Sequence, residues 1–194
     1  MKSENTAEEA RVTLRGIVGL RLLGSRNFCA TRHFYFGGET SPTDPDSPHF
    51  TLGLDCPWRI RRAGLIVVGS DDYYEKADGN ADPSWEPGMP SGHLQNQKLV
   101  ELLGELKEAR VITTHPGFVV KAVDLDECGG MRIGLEPDCI LEVFPNSVKS
   151  MQWIFKSPDR PSLVLMNGVV NRTKKKSTGA EGEGGGTGQP ELSD

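Results

Sequence analysis

From residue 50 to residue 60 the hydrophobic side chains fall on every second position. Phe50, Leu52, Leu54, Cys56, Trp58 and Ile60 share one parity, while Thr51, Asp55 and Arg59 occupy the other. Alternation has this meaning in a strand because successive side chains point to opposite faces. Pro57 has no N–H to give a ladder, so a bulge or an edge position is expected there. "RRAG" then supplies a turn and "LIVVG" a buried return strand, which predicts a hairpin.

Helical spacing replaces alternation in two places. Thr6 and Glu9 have the spacing of a capping box, in which side chains satisfy the backbone donors left open at a helix start. Ala10, Leu14, Ile17 and Val18 recur at helical intervals after them. Gly16 and Gly19 weaken this helix, so it ends there or passes into a strand over 20–23. The segment "HLQNQKLVELLGELKEAR" (93–110) predicts a second, amphipathic helix with Leu99, Leu102, Leu103 and Leu106 as its apolar stripe. "RHFYFG" (32–37) reads as a strand, and "FVVKAVDL", "MRIGL", "CILEVF", "MQWIFK" and "SLVLM" read as later ones, with "EPD" a tight connection. "GGETSPTDPDSPH" and the Asp-, Pro- and Gly-rich stretch over 70–92 are expected to be loops.

These elements imply an α+β fold, with antiparallel sheet and two main helices. The stretches 10–70 and 94–170 run in parallel: each has a helix-like segment, then several strands, with a Trp in a late one. Two readings stay open, a duplicated helix-plus-β-meander unit or the ordinary likeness of antiparallel segments. A single domain is expected over 1–170. The segment 171–194 has a Gly-rich centre and almost no large apolar side chain, so it is expected to be a disordered tail.

Composition narrows the function classes. The formal net charge is -5, against the basic face that nucleic-acid binding normally uses to displace counterions. No run approaches the about 18 apolar residues of a membrane span, and nothing near the start has the apolar centre of a signal peptide. The expectation is a cytoplasmic protein that binds neither nucleic acid nor membrane. Cys29, Cys56, Cys128 and Cys139 are widely spaced with no Cys-x-x-Cys pair, so they are expected to be structural thiols.

Candidate chemistry gathers in "SDDYYEKADGNAD" (70–82). Asp71 and Asp72 follow a buried strand, where sites are often mounted. With Glu75 and Asp78 they could hold a hard cation, although an EF-hand register set on Gly79 would put ligands at Tyr74 and Trp85, which cannot serve. The competing reading is a solvated acidic loop that discourages edge pairing. Arg59, Arg61 and Arg62 could face a partner, or pair across the hairpin with Asp71 and Asp72. His33, His49, His93 and His115 lie in separate segments with no His-Glu-x-x-His helix, and no Gly-x-Ser-x-Gly elbow occurs.

"LDCPWRI", "GLIVVGSDD" and "LEVFPNSVKSMQWIF" together resemble a pattern in small uncharacterised bacterial proteins, some of them similar to the immunity proteins of toxin systems. The resemblance spans 10–170 and implies no activity and no functional residues. The expected function is non-enzymatic binding of a protein partner with a basic surface, without a cofactor. Arg59, Asp71, Asp72, Tyr73 and Tyr74 are the candidate binding residues. The alternative is a metal-assisted hydrolase using Asp71, Asp72, Glu75 and Asp78.

Overall fold

The structure, a computed structural model, describes residues 2–28, 31–37, 50–104 and 118–173. Cys29, His49, Leu106, His115 and the tail from 174 onward lie outside them, as do the side chains of 2–7; the first helix already begins at Lys2, so Thr6 stands inside it and does not start it as expected. In chain order the elements are α1 (Lys2–Leu14), β1 (Arg21–Phe28), β2 (Thr31–Gly37), β3 (Phe50–Leu54), β4 (Trp58–Arg62), β5 (Leu65–Gly69) and α2 (Leu94–Leu103). They continue with β6 (Phe118–Leu125), β7 (Met131–Glu136), β8 (Cys139–Val143), β9 (Met151–Lys156), β10 (Leu163–Met166) and β11 (Val169–Arg172). The fold is α+β and dominated by antiparallel sheet. Helix α2 stops at Gly104, whose φ of 81° breaks the helix, well before residue 110. Strand β11 takes in Asn171 and Arg172, which pair with Val164 and Leu163, so the ordered chain runs past residue 170.

One sheet holds all eleven strands of the described residues, in the order β11-β10-β9-β3-β2-β1-β6-β7-β8-β4-β5. The alternating run over 50–60 is therefore two strands and not one. β3 and β4 lie on opposite sides of the central β1–β6 seam, and Asp55, Cys56 and Pro57 carry the chain across. Pro57 suits this place because a crossover residue owes no N–H to a ladder. Its carbonyl accepts from Phe144 N at 2.8 Å, and Asp55 N donates to Gln152 O at 2.9 Å. The expected hairpin of β4 and β5 is present, with Arg59 opposite Gly69 and Ile60 opposite Val68, but β5 is an edge strand with Leu65 and Ile66 exposed and Val68 buried, not the buried return strand expected.

The pairings of β1, β2, β3 and β9 on one side of the seam correspond residue by residue to those of β6, β7, β8 and β4 on the other, although the outer hairpins bulge at different places. Arg21 faces Val119 at the seam. β1 bulges between Leu22 and Gly24 where it pairs with β2, and β6 bulges between Val120 and Ala122 where it pairs with β7. Farther out, Leu54 and Leu52 of β3 face Trp153 and Phe155 of β9. Val143 and Leu141 of β8 face Trp58 and Ile60 of β4 in the same way. Each three-stranded meander is thus extended by strands that follow the other one, β9 and β10 on one side and β4 and β5 on the other, with β11 added beyond β10 and no counterpart to it beyond β5 among the described residues.

The helices obey the same pattern. α1 touches β6 and β11, and α2 touches β1 and β5, so each reaches from the seam to an outer edge. The parity expected from the sequence holds: Leu52, Leu54, Cys56, Trp58 and Ile60 are buried, and Phe50 packs on the core. Phe34, Phe36, Phe118, Trp153 and Phe155 complete its aromatic part, each side chain of this size stabilising by about 2–3 kcal/mol when fully buried. No helix among the described residues is long and apolar enough to cross a membrane.

Candidate functional site

The crossover from β3 to β4 forms one wall of a cleft of about 200 Å³. Asn27 and Arg32 from the β1–β2 hairpin, Gln95 from α2, and Ser70, Asp71, Tyr73 and Tyr74 after β5 complete it. Trp58 lines the wall and packs its indole edge-on against Phe34, with ring centroids 5.2 Å apart.

Arg32 belongs to the buried parity of β2, the parity of Phe34 and Phe36, and is only 2% exposed. A guanidinium in such a place usually has a carboxylate against it, because moving an ion out of water costs several kcal/mol. Here the partners are neutral. Gln95 Oε1 accepts from Nε at 3.1 Å and from Nη2 at 2.6 Å, and Ser25 Oγ accepts from Nη1 at 3.4 Å. No carboxylate among the described residues forms an ion pair with it. Burial lowers the Arg32 pKa to about 10, against smaller opposing contributions from Tyr73 and Tyr35, so the group stays cationic at neutral pH.

The supports of Arg32 are themselves held. The Gln95 amide donates from Nε2 to the carbonyls of Gly69 and Ser70, both at 3.0 Å, which leaves its oxygen facing the guanidinium. His93 caps α2: its Nδ1 accepts from Asn96 N at 3.1 Å, satisfying a backbone donor that the first turn leaves open. Its ring lies 4.6 Å from that of Tyr73. Burial, and then the charge of Arg32, hold the His93 pKa below the usual value. Cys56 on the crossover is pushed up to about 12 by burial, so it is a protonated thiol and no nucleophile at neutral pH.

At the mouth, Asp55 and Asp71 are exposed. Asp55 accepts from the Thr31 hydroxyl, and Asp71 lies 3.2 Å from Ser70 Oγ. Tyr74 is 59% exposed and meets Tyr73 edge-on at 5.4 Å.

On the other side of the seam, matching register places Met131 where Arg32 stands, Leu125 for Asn27, Val123 for Ser25 and Leu165 for Ser70. All four are buried. Trp153, the counterpart of Trp58, donates from Nε1 to Gly129 O at 2.7 Å. Leu165 fills the space so closely that a Cβ on Gly129 would lie 2.5 Å from its Cδ2. One side of the sheet therefore has a sealed apolar corner where the other has a polar cleft.

The residues expected from the sequence divide. Asp71, Tyr73 and Tyr74 do line the cleft. Arg59 points elsewhere, to Glu142 Oε2 at 2.7 Å and over the Phe144 ring at 4.9 Å. The arginines of the hairpin do not meet Asp71 and Asp72: Arg61 lies 3.3 Å from Glu142, and Arg62 bonds Asp138 at 3.0 Å. Asp72 instead accepts from Gly69 N at 2.7 Å. Asp78 lies 3.5 Å from Lys98, and the Glu75 carbonyl accepts from Leu94 N. Asp71, Asp72, Glu75 and Asp78 thus do not converge, and no group of three or more His, Cys, Asp or Glu that could hold a metal ion occurs among the described residues. Sequence reasoning missed Asn27, Arg32, Asp55 and Gln95. The signal for Arg32 was its parity with Phe34 and Phe36, which puts a charge on the core face.

No protein-family model, curated protein or solved structure matches the chain.

Proposed function

We propose that the protein is a non-enzymatic binding protein of the immunity-like kind, built from a duplicated helix-plus-β-meander unit in which one copy is scaffold and the other carries the recognition cleft. The observation that carries this reading is Arg32, a buried cation with neutral partners beside the cleft, where the matching position across the seam holds Met131. A buried charge of this kind costs stability that methionine does not, and stability given up at a fixed place is the usual mark of a site kept for function. The shared bulges and crossed hairpins support the duplication. The exposed acids at the mouth and the net charge of -5 favour a partner with a basic surface, because complementary fields steer association.

The test compares the native chain with R32M/Q95M, which exchanges the charge and its amide clamp together; the carbonyls of Gly69 and Ser70 lose the Gln95 amide as well, but both residues are only half-buried, so water can take its place. Both proteins are tagged and used to capture partners from the source cells. The variant is expected to keep its unfolding free energy within about 1 kcal/mol of the native value and to lose a partner that the native chain retains. Equal capture by the two proteins, or nothing above background for the native chain, sinks the reading.

A further inference from the structure

Resting on the reading of this cleft as a recognition site, we propose that it receives a small zwitterion, whose carboxylate is gripped by Arg32 and whose cation faces Asp55 and Asp71 at the mouth.

The donors of Arg32 point to the carboxylate. A guanidinium has five N–H groups. Gln95 takes that of Nε and one on Nη2, and Ser25 takes one on Nη1. One hydrogen on each terminal nitrogen is left without a partner among the described residues. With Ser25 on the Nη1 hydrogen that points back toward Cδ, the two that remain lie side by side and form the fork that holds a carboxylate by two parallel bonds. The incoming group also supplies the counter-charge that the buried cation otherwise lacks.

The mouth points to the cation. Asp55 and Asp71 line the same cleft and are exposed, and the whole chain carries a net charge of -5. A simple anion is repelled by such a field on its way in. A ligand with its own positive group converts those carboxylates into partners, and the exposed ring of Tyr74 adds a face on which a cation can rest. Size sets the class: about 200 Å³ is below the about 300 Å³ at which drug-sized sites begin, so a single amino-acid-sized group fits. Two sources share this chemistry, a free amino acid and the basic C-terminal residue of a partner chain.

The test is calorimetric titration of the full chain at low salt with L-lysine, Nα-acetyl-lysine, lysinamide and acetate. Lysine or acetyl-lysine is expected to bind at least about tenfold more tightly than lysinamide, which has no carboxylate, and than acetate, which has no cation. R32M/Q95M should lose about tenfold or more in affinity for the better probe. D55N/D71N, which changes exposed side chains alone, should weaken binding and flatten its salt dependence. Tighter binding of acetyl-lysine assigns the site to a chain end, and tighter binding of lysine to the free amino acid; either outcome supports the proposal. Lysinamide or acetate binding as tightly as lysine overturns it, and so does the absence of heat with all four probes. If partner capture still depends on Arg32 while no probe binds, the zwitterion falls and the recognition reading stands. If capture ignores Arg32, the recognition reading itself falls.

Discussion

The corner around Arg32 and the corner around Met131 are matching places in one sheet, and they are filled in opposite ways. Strand register, the bulges in β1 and β6, and the tryptophans of β4 and β9 all correspond. What differs is chemistry: Arg32, Asn27, Ser25 and Ser70 on one side, Met131, Leu125, Val123 and Leu165 on the other. The backbone evidently tolerates either filling. On the function proposed above, the apolar corner serves as scaffold, and the polar corner carries a buried charge that costs stability.

The sharpest way to break this comparison is to move the charge. M131R places a guanidinium in the sealed corner with no amide positioned to receive it, and an uncompensated buried charge destabilises by about 3–5 kcal/mol. Urea unfolding of M131R should show a loss of that order, many times the change expected for R32M/Q95M. A loss below about 1 kcal/mol, the size of an ordinary surface change, would mean that the Met131 corner is not sealed and that the contrast is false.

A smaller effect separates the two tryptophans. W153F removes the donor to Gly129 O and leaves a buried carbonyl unpaired, at about 1–3 kcal/mol. In W58F the ring keeps its edge-on packing with Phe34, and no hydrogen bond from the Trp58 indole to another described residue is lost. W58F should therefore cost less than half as much as W153F in thermal or urea unfolding. Equal losses would show that Trp58 is as much a structural tie as its counterpart, and the cleft would lose its wall as a place for a ligand.

How much of this contrast is legible in the sequence follows from the range of each interaction. The β4–β5 hairpin is legible because turn and strands lie within a few residues of one another. The crossover at Asp55–Pro57 is hidden, since Leu54, Cys56 and Trp58 keep one parity through the break and imitate a continuous strand. Pro57 marks the irregularity, but a local pattern cannot tell a bulge from a change of sheet position. Arg32 is half legible: its parity puts it inside, while its partner Gln95 is 63 positions away and comes from a different element. The acidic residues of 71–78 draw attention because they cluster in sequence. In space Asp72 is spent on Gly69 N and Asp78 on Lys98, and Asp71 alone of the four lines the cleft.

The subtlest difference between the corners is their response to acid, because His93 stands beside the polar one. Its ring is buried and faces Arg32, Tyr73 and Asn27, with Nδ1 accepting from Asn96 N as the cap of α2. Burial and the neighbouring guanidinium hold its folded-state pKa below 6.5, against a weaker upward pull from the Pro90 carbonyl. Between the folded pKa and 6.5 the unfolded chain binds more protons than the folded one, so stability rises with pH there. The contribution is fully present above about 6.5 and is lost as the pH falls below it. Protonation also turns the Nδ1 acceptor into a donor facing Asn96 N, which removes a cap worth about 1 kcal/mol. His33, whose pKa is likewise lowered by burial and then by Lys156, adds a slope of the same sign from β2. H93N keeps a capping side chain and removes one titrating group, so it should lose less stability than the native chain when urea midpoints are compared at pH 7.5 and pH 5.5. H33N should leave the His93 part of the slope in place. If H93N follows the native curve throughout, His93 is not held neutral, and the charge of Arg32 is more thoroughly compensated than its neutral partners indicate.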